Sequence, residues 1–214
     1  MNNSKVTLRG VVKGQPVFKF KSPQGERFFE TTLEVYRLSH TIDKIPLLVS
    51  ELHTMFVNDG ATVKIDGEIR TRNELEGDRY RLRMFVLVEY AIPVEEEEEK
   101  TPDKDENIVE LTGTICKKSE IRETPMGRVI LDFLLAVNGS HNKCAYCPCI
   151  AWGRMAERAA KLNVGDSLKA TCRFQSRTYQ KNGQDMTAYE LSVVSFEPVG
   201  ADNENTCNNT DEHV

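Results

Sequence analysis

Polar and apolar residues alternate with a period of two over long stretches of the chain. Between 62 and 70, Val63, Ile65, Gly67 and Ile69 fall on one parity, and Lys64, Asp66, Glu68 and Arg70 on the other. Between 168 and 177, Leu168, Ala170, Cys172 and Phe174 alternate with Lys169, Thr171, Arg173, Gln175 and Arg177. Successive side chains of a strand point to opposite faces, so this pattern predicts half-buried strands with one polar face. Ser22-Pro23-Gln24-Gly25 and Thr124-Pro125-Met126-Gly127 are predicted β-turns, with proline presetting φ at the second position. Glu76-Gly77-Asp78 and Lys181-Asn182-Gly183-Gln184 are predicted hairpin loops between long strands. Helical spacing occurs at 51–57 and, more clearly, at 153–162, where Met155, Ala159 and Leu162 supply an apolar face.

The pattern occurs twice. VTLRG at 6–10 matches VELTG at 109–113, and SPQGERFFETTLEV at 22–35 resembles TPMGRVILDFLLAV at 124–137. VNDGATVKIDGEIRTR at 57–72 follows the same pattern as NVGDSLKATCRFQSR at 163–177. A period near 100 residues, far longer than a solenoid repeat, implies a duplicated domain. Strand, hairpin, strand, helix and long hairpin in each copy suit an all-β five-stranded barrel with one short helix after its third strand. A compact sandwich is the competing arrangement.

Composition refines this organisation. The 214 residues are 39% hydrophobic and 29% charged, enough apolar material for folded cores. A net charge of −5 argues at first against a nucleic-acid partner. The charge is unevenly placed, however. EEEEEKTPDKDE at 95–106 carries −6, and residues 200–214 carry −4. The two blocks, 1–94 and 107–199, carry +2 and +3. The expected organisation is two mildly basic domains at 1–94 and 107–199, an acidic extended linker at 95–106, and a disordered acidic tail at 200–214. No apolar run is long enough to span a bilayer and MNNSKVTLRG has no apolar leader region, so a cytoplasmic protein with reduced cysteines and no membrane partner is expected.

Binding a single strand of nucleic acid requires cations that track phosphates and π-faces on which bases stack. The second block offers both. Lys169, Arg173 and Arg177 share a parity that Tyr179 continues, Arg122 and Arg128 bracket the turn, Lys143 precedes a predicted strand, and Tyr146 and Trp152 flank YCPCIAW. The alternative for the aromatics is structural: Trp152 packing a barrel end, Tyr179 capping a hairpin. In the first block, Arg70 and Arg72 share a face and are the phosphate-binding candidates. Ser50 stands where the second block has Trp152, Glu74 where it has Tyr179, and Lys44 where it has Tyr146. The cationic half of the pattern survives there and the stacking half is largely missing.

NIVELTG, TPMGR, LLAVN, CPCIAWGRMAE, NVGDSL and RFQSRTY, in that order across 107–197, resemble the bacterial single-stranded DNA-binding proteins. Residues 5–92 resemble the same family more faintly, through VTLRG, SPQGERF, NDG and EIRTR. The resemblance implies two tandem OB-folds and sequence-tolerant binding of single-stranded DNA in replication, recombination or repair. It implies stacking positions at Tyr146, Trp152 and Tyr179, and a further one at His141, where this chain carries a smaller ring. The family assembles four such domains, so a chain with two is expected to form a homodimer. The family's acidic tail ends in Pro-Phe and recruits replication and repair proteins. This chain ends Asp211-Glu212-His213-Val214, which implies no such anchor. A degenerate OB-fold pair that serves as an assembly protein of the replication machinery, or a binder of single-stranded RNA, are the rival readings.

Other chemistry is sparse. Cys144, Cys147 and Cys149 with His141 form one cluster where zinc needs two separated ligand pairs, so neither a metal nor any other cofactor is expected. Cys116 and Cys172 read as core cysteines and Cys207 as a tail thiol. The four histidines share no context, no G-x-S-x-G, P-loop or H-E-x-x-H motif occurs, and no enzymatic activity is expected.

Overall fold

A computed structural model of the chain describes residues 3–37, 39–94, 106–140, 143–181 and 183–200. The first half contains β1 (Ser4–Lys21), β2 (Arg27–Tyr36), β3 (Ile42–Ser50), β4 (Thr62–Glu76) and β5 (Arg79–Pro93). The second contains β6 (Asn107–Lys118), the short β7 (Arg122–Glu123), β8 (Val129–Asn138), β9 (Cys144–Trp152), the helix α1 (Arg154–Ala160), β10 (Ser167–Lys181) and β11 (Gln184–Pro198). In the first half the strands close in the order β1-β2-β3-β5-β4-β1, with β3 and β5 parallel and the other pairs antiparallel. The second half closes as β6-β8-β9-β11-β10-β6. These are two tandem OB-fold barrels, not sandwiches.

The predicted alternation holds in β10, where Leu168, Ala170, Cys172 and Phe174 are buried and Lys169, Arg173 and Arg177 are exposed. Closure depends on glycine where the first strand of each barrel bends from one partner to the next. A Cβ on Gly10 would lie 2.3 Å from the Glu34 carbonyl oxygen, and one on Gly113 would lie 2.7 Å from that of Ala136. The recurrence of Gly10 and Gly113 in the repeat is thus a packing requirement. The helix expected at 51–57 is only a 3₁₀ turn at Glu51–His53 with no buried residue, too poor in apolar contacts to extend. The one at 153–162 is shorter than expected, seven residues, and buries Ala156 and Ala159. Cys147, Cys149 and Cys172 face the core, but Cys116 does not. Asn107, Val109, Leu111 and Ile115 set the inward parity of β6, so Cys116, next after Ile115, points outward by ordinary alternation.

Nothing in the alternation specified how the two barrels meet. β1 and β6 pair antiparallel, joining them into one sheet, with Val6 opposite Val109 at the centre of a pseudo-twofold relation. Matching contacts flank this seam. Ser4 Oγ accepts from the Ile69 N–H at 2.9 Å, and Asn107 exchanges two 2.8 Å hydrogen bonds with the backbone of Phe174. The Lys44 N–H donates to Ser176 Oγ at 2.8 Å, and the Tyr146 N–H to Thr71 Oγ1 at 2.9 Å. The wholly buried Asp43 accepts from Arg37 Nε and from the Ser176 N–H, each at 2.7 Å. Across the axis, buried Glu68 pairs with Arg70 and accepts from Ser140 Oγ at 2.9 Å.

Candidate nucleic-acid interface

The outer surface of the second barrel forms a shallow groove over β8, β9, β11 and β10. Cross-strand partners on a common face place Trp152 opposite Ile130, Ile150 opposite Asp132, Pro148 opposite Leu134, and Tyr146 opposite Ala136. Trp152, Ile150, Pro148 and Tyr146 therefore share one face in a line along β9, about 20 Å long at ~3.3 Å per residue, with Ile150 itself buried at 6% exposure. Trp152 is 36% exposed and Tyr146 46%. Both rings stand on the outer face, so Trp152 does not plug the barrel.

Next to this line runs a basic one. Ser192 of β11 pairs with Ile150 on one side and with Arg173 of β10 on the other. Two inter-strand spacings, with β11 between, separate the β9 side chains from Arg173, about 10 Å at 4.7–4.9 Å each. Arg177 and Tyr179 continue the β10 face, and the Arg177 guanidinium lies 6.0 Å from the centre of the Tyr179 ring. Arg128 and Lys143 are exposed. Arg122 is exposed at the β7 edge, where its Nη2 lies 2.5 Å from Asp132 Oδ2 and neutralises that carboxylate. An open cleft of about 370 Å3 on this surface is lined by Lys117, Pro148, Ile150, Tyr189 and Glu190 among others. Burial pushes the Glu190 carboxyl up from its ordinary value, against the opposing pull of Arg177.

The remaining candidates lie elsewhere. Lys169 is ten residues before Tyr179 on β10, roughly 33 Å away along the strand, opposite Thr112 and Glu197 on the sheet that joins the barrels. Arg70, only 8% exposed, directs its guanidinium at Glu68 and at the Ser140 carbonyl oxygen 3.2 Å away. It holds the barrels together and does not reach the groove. Arg72 is shared between Glu30 and Glu74 and lies over the Phe85 ring at 5.0 Å. Its phosphate role gives way to charge pairing inside the first groove. His141 lies outside the described residues, as do residues 95–105 of the acidic linker and 201–214 of the tail.

The first barrel's groove is largely self-neutralised. Lys19 lies 3.0 Å from Glu30 and 3.9 Å from Glu74, and Arg83 lies 3.3 Å from Glu74. Burial raises the Glu30 carboxyl, but hydrogen bonds from Lys19 and Arg72 outweigh it and hold the group below its ordinary value. Three features escaped the sequence reading: the apolar Ile150–Pro148 link, Lys117 on the cleft wall, and an aromatic pair on β1 and β2. Alternation in β9 could have revealed the first. The others depend on strand irregularities.

The core thiols are inert by position. Cys149 contacts Cys172, and burial pushes both Cys147 and Cys149 well up. Among the described residues, no group of three or more His, Cys, Asp or Glu side chains is placed to hold a metal ion.

Fold and surface define a tandem OB-fold protein with an aromatic and cationic groove. The model of the single-strand binding protein family matches residues 106–199. Single-stranded DNA-binding protein A of Bacillus subtilis is 31% identical over 99 residues, covering 42% of this chain and 58% of that protein. The single-stranded DNA-binding protein of Halalkalibacterium halodurans is 30% identical over 113 residues, covering 48% of this chain and 67% of that one. The chain belongs to the single-strand binding protein family. It spans 58% and 63% of the length of the B. subtilis protein and of Lactococcus lactis single-stranded DNA-binding protein 1. The crystal structure of the wild-type single-stranded DNA binding protein from Thermus aquaticus shares the fold across both barrels. Its TM-score is 0.70 at 19% identity, over 91% of this chain and 92% of that one.

Proposed function

We propose that this protein binds single-stranded DNA with little sequence preference and protects it during replication, recombination or repair. Bases stack on Trp152 and Tyr146, with Pro148 between them, while phosphates meet Arg173 and Arg177, with Arg128 and Lys143 at the ends. The observation that carries this reading is the parallel course of the apolar and basic lines on one outer surface. Each stacked base contributes ~1–3 kcal/mol with little regard to its identity. The reading is of a binder and not an enzyme, at work in the bacterial cytoplasm. Its domains are residues 1–94 and 107–199, tethered by the acidic segment 95–106. The test uses the single tryptophan: Trp152 fluorescence is quenched when oligo-dT is added at low salt. Absence of both quenching and a gel shift would refute the proposal. Competition with matched RNA oligomers distinguishes the two nucleic acids.

The self-neutralised first groove favours a second role for that half, as an assembly surface. Tyr90, Asp66, Thr7 and Ile108 form one row across β5, β4, β1 and β6 on the sheet shared by the barrels. Tyr90 is 56% exposed and Ile108 45%. Packing this face against its copy makes a homodimer with four barrels. A solution mass near the chain's own 24.3 kDa would rule that out.

A further inference from the structure

The first barrel carries an aromatic pair one strand away from where the second carries Trp152. In the second barrel Trp152 of β9 stands opposite Ile130 of β8. In the corresponding row of the first, Ser50 of β3 stands opposite Phe28 of β2. The ring has moved to the other member of the cross-strand pair while keeping its row on the groove face. Phe28 is half-buried and stacks on Phe20 of β1, with ring centroids 5.1 Å apart and planes 19° from parallel. Phe20 is 39% exposed, so the pair offers the surrounding solvent a supported π-surface.

A strand irregularity creates this platform. Phe18 pairs with Phe29, but Phe20 pairs with Phe28, leaving Lys19 as an extra residue in β1. In a regular strand Phe18 and Phe20 would share a face; the bulge sends them to opposite faces of the hairpin. Phe18 then packs edge-on against Phe29 on the reverse side, where Arg27 lies 5.4 Å and 5.3 Å from the two rings. Lys19 turns into the groove beside Glu30, and Lys21 is exposed at the hairpin tip. The groove face of the hairpin thus combines stacked rings with flanking cations.

We infer that Phe20 and Phe28 form a base-stacking subsite of the first barrel, a displaced counterpart of the Trp152 position, whose ligand is a nucleobase of the bound single strand. The inference rests on the single-strand-binding reading above. Two stacked, nearly parallel rings leave one flat face open, which suits a base, since every base has a π-face to offer. With this subsite the first barrel stacks bases despite Ser50, Lys44 and Glu74.

The test uses the full chain and dT oligomers of graded length. Phe20→Ala should weaken binding of oligomers long enough to cover both barrels by roughly 5- to 150-fold, the effect of one lost stack. It should leave affinity for oligomers short enough to occupy only the Trp152 groove unchanged. A second variant, Phe20→Trp combined with Trp152→Phe, moves the sole indole to the hairpin; its fluorescence should be quenched by the long oligomers. Unchanged long-oligomer affinity in Phe20→Ala, with an unquenched indole in the second variant, would overturn the subsite. If wild-type Trp152 is still quenched in that case, the single-strand-binding reading stands and the rings belong to a protein contact. If the wild type neither quenches nor shifts with dT, both readings fall.

Discussion

Replacing Arg173 and Arg177 together with glutamine separates charge from stacking in the second groove. Both guanidinium groups are exposed on β10, and neither forms an ion pair among the described residues. They are therefore free to displace counterions from phosphates. Each phosphate neutralised on a single strand adds about 0.7 to the slope of log K against log salt, so the double variant should flatten that slope by about 1.4. Between 50 and 200 mM salt this amounts to a difference of roughly sevenfold in how far affinity drops. Loss of the Arg177–Tyr179 contact also weakens binding, but stacking releases no ions and does not enter the slope. The measurement is a Trp152 quenching titration with oligo-dT across that salt range. Arg72→Gln is the internal control: Arg72 is held by Glu30 and Glu74, and its loss should leave the slope nearly unchanged. A double variant with the wild-type slope would refute the placement of phosphates on β10. An equal fall in Arg72→Gln would refute the claim that the first groove neutralises itself.

Three further outcomes follow from the geometry. The Glu190 carboxyl is already raised from its ordinary 4.5 by burial, and nearby phosphates would raise it further, so binding takes up a proton. Affinity should fall as pH rises through the raised range of this carboxyl, and Glu190→Gln should bind more tightly at neutral pH and lose this dependence in the same titration. For folding alone the sign agrees: a carboxyl raised in the folded state costs stability as pH rises from its unfolded value through its folded one. Asp43→Ala should lower stability by about 3 kcal/mol, the low end for breaking a buried pair, because Arg37 keeps some access to water. Urea unfolding measures this, and a loss under about 1 kcal/mol would contradict the role given to the seam. A thiol reagent applied to the folded protein should leave Cys147, Cys149 and Cys172 unmodified, as mass mapping would show; rapid labelling of any of them would contradict their burial.

Alternation along the chain was enough to define the strands because inward and outward side chains of one strand are set locally, by the period of two. The same parity placed Arg173, Arg177 and Tyr179 on a common face, and the repeat revealed two similar barrels. Charge counted by segment separates two basic stretches, 1–94 and 107–199, from the acidic 95–106 and 200–214. What the sequence could not settle depends on contacts between strands far apart in the chain. Arg70 and Arg173 look alike as exposed-parity arginines on matching strands, yet the antiparallel pairing of β1 with β6 buries the first beside Glu68 and leaves the second open. Lys169 shares the parity of Arg177 but lies at the other end of a long strand that curls between two surfaces. Parity records which way a side chain points from its own strand, not which neighbour lies in that direction. The Phe20–Phe28 pair illustrates the point most clearly. Read by alternation, FKFK puts both phenylalanines on one face; one extra residue at Lys19 divides them between two. Bulges and seams of this kind are fixed only when the barrels close and pair, and there tertiary structure decides which rings reach the groove.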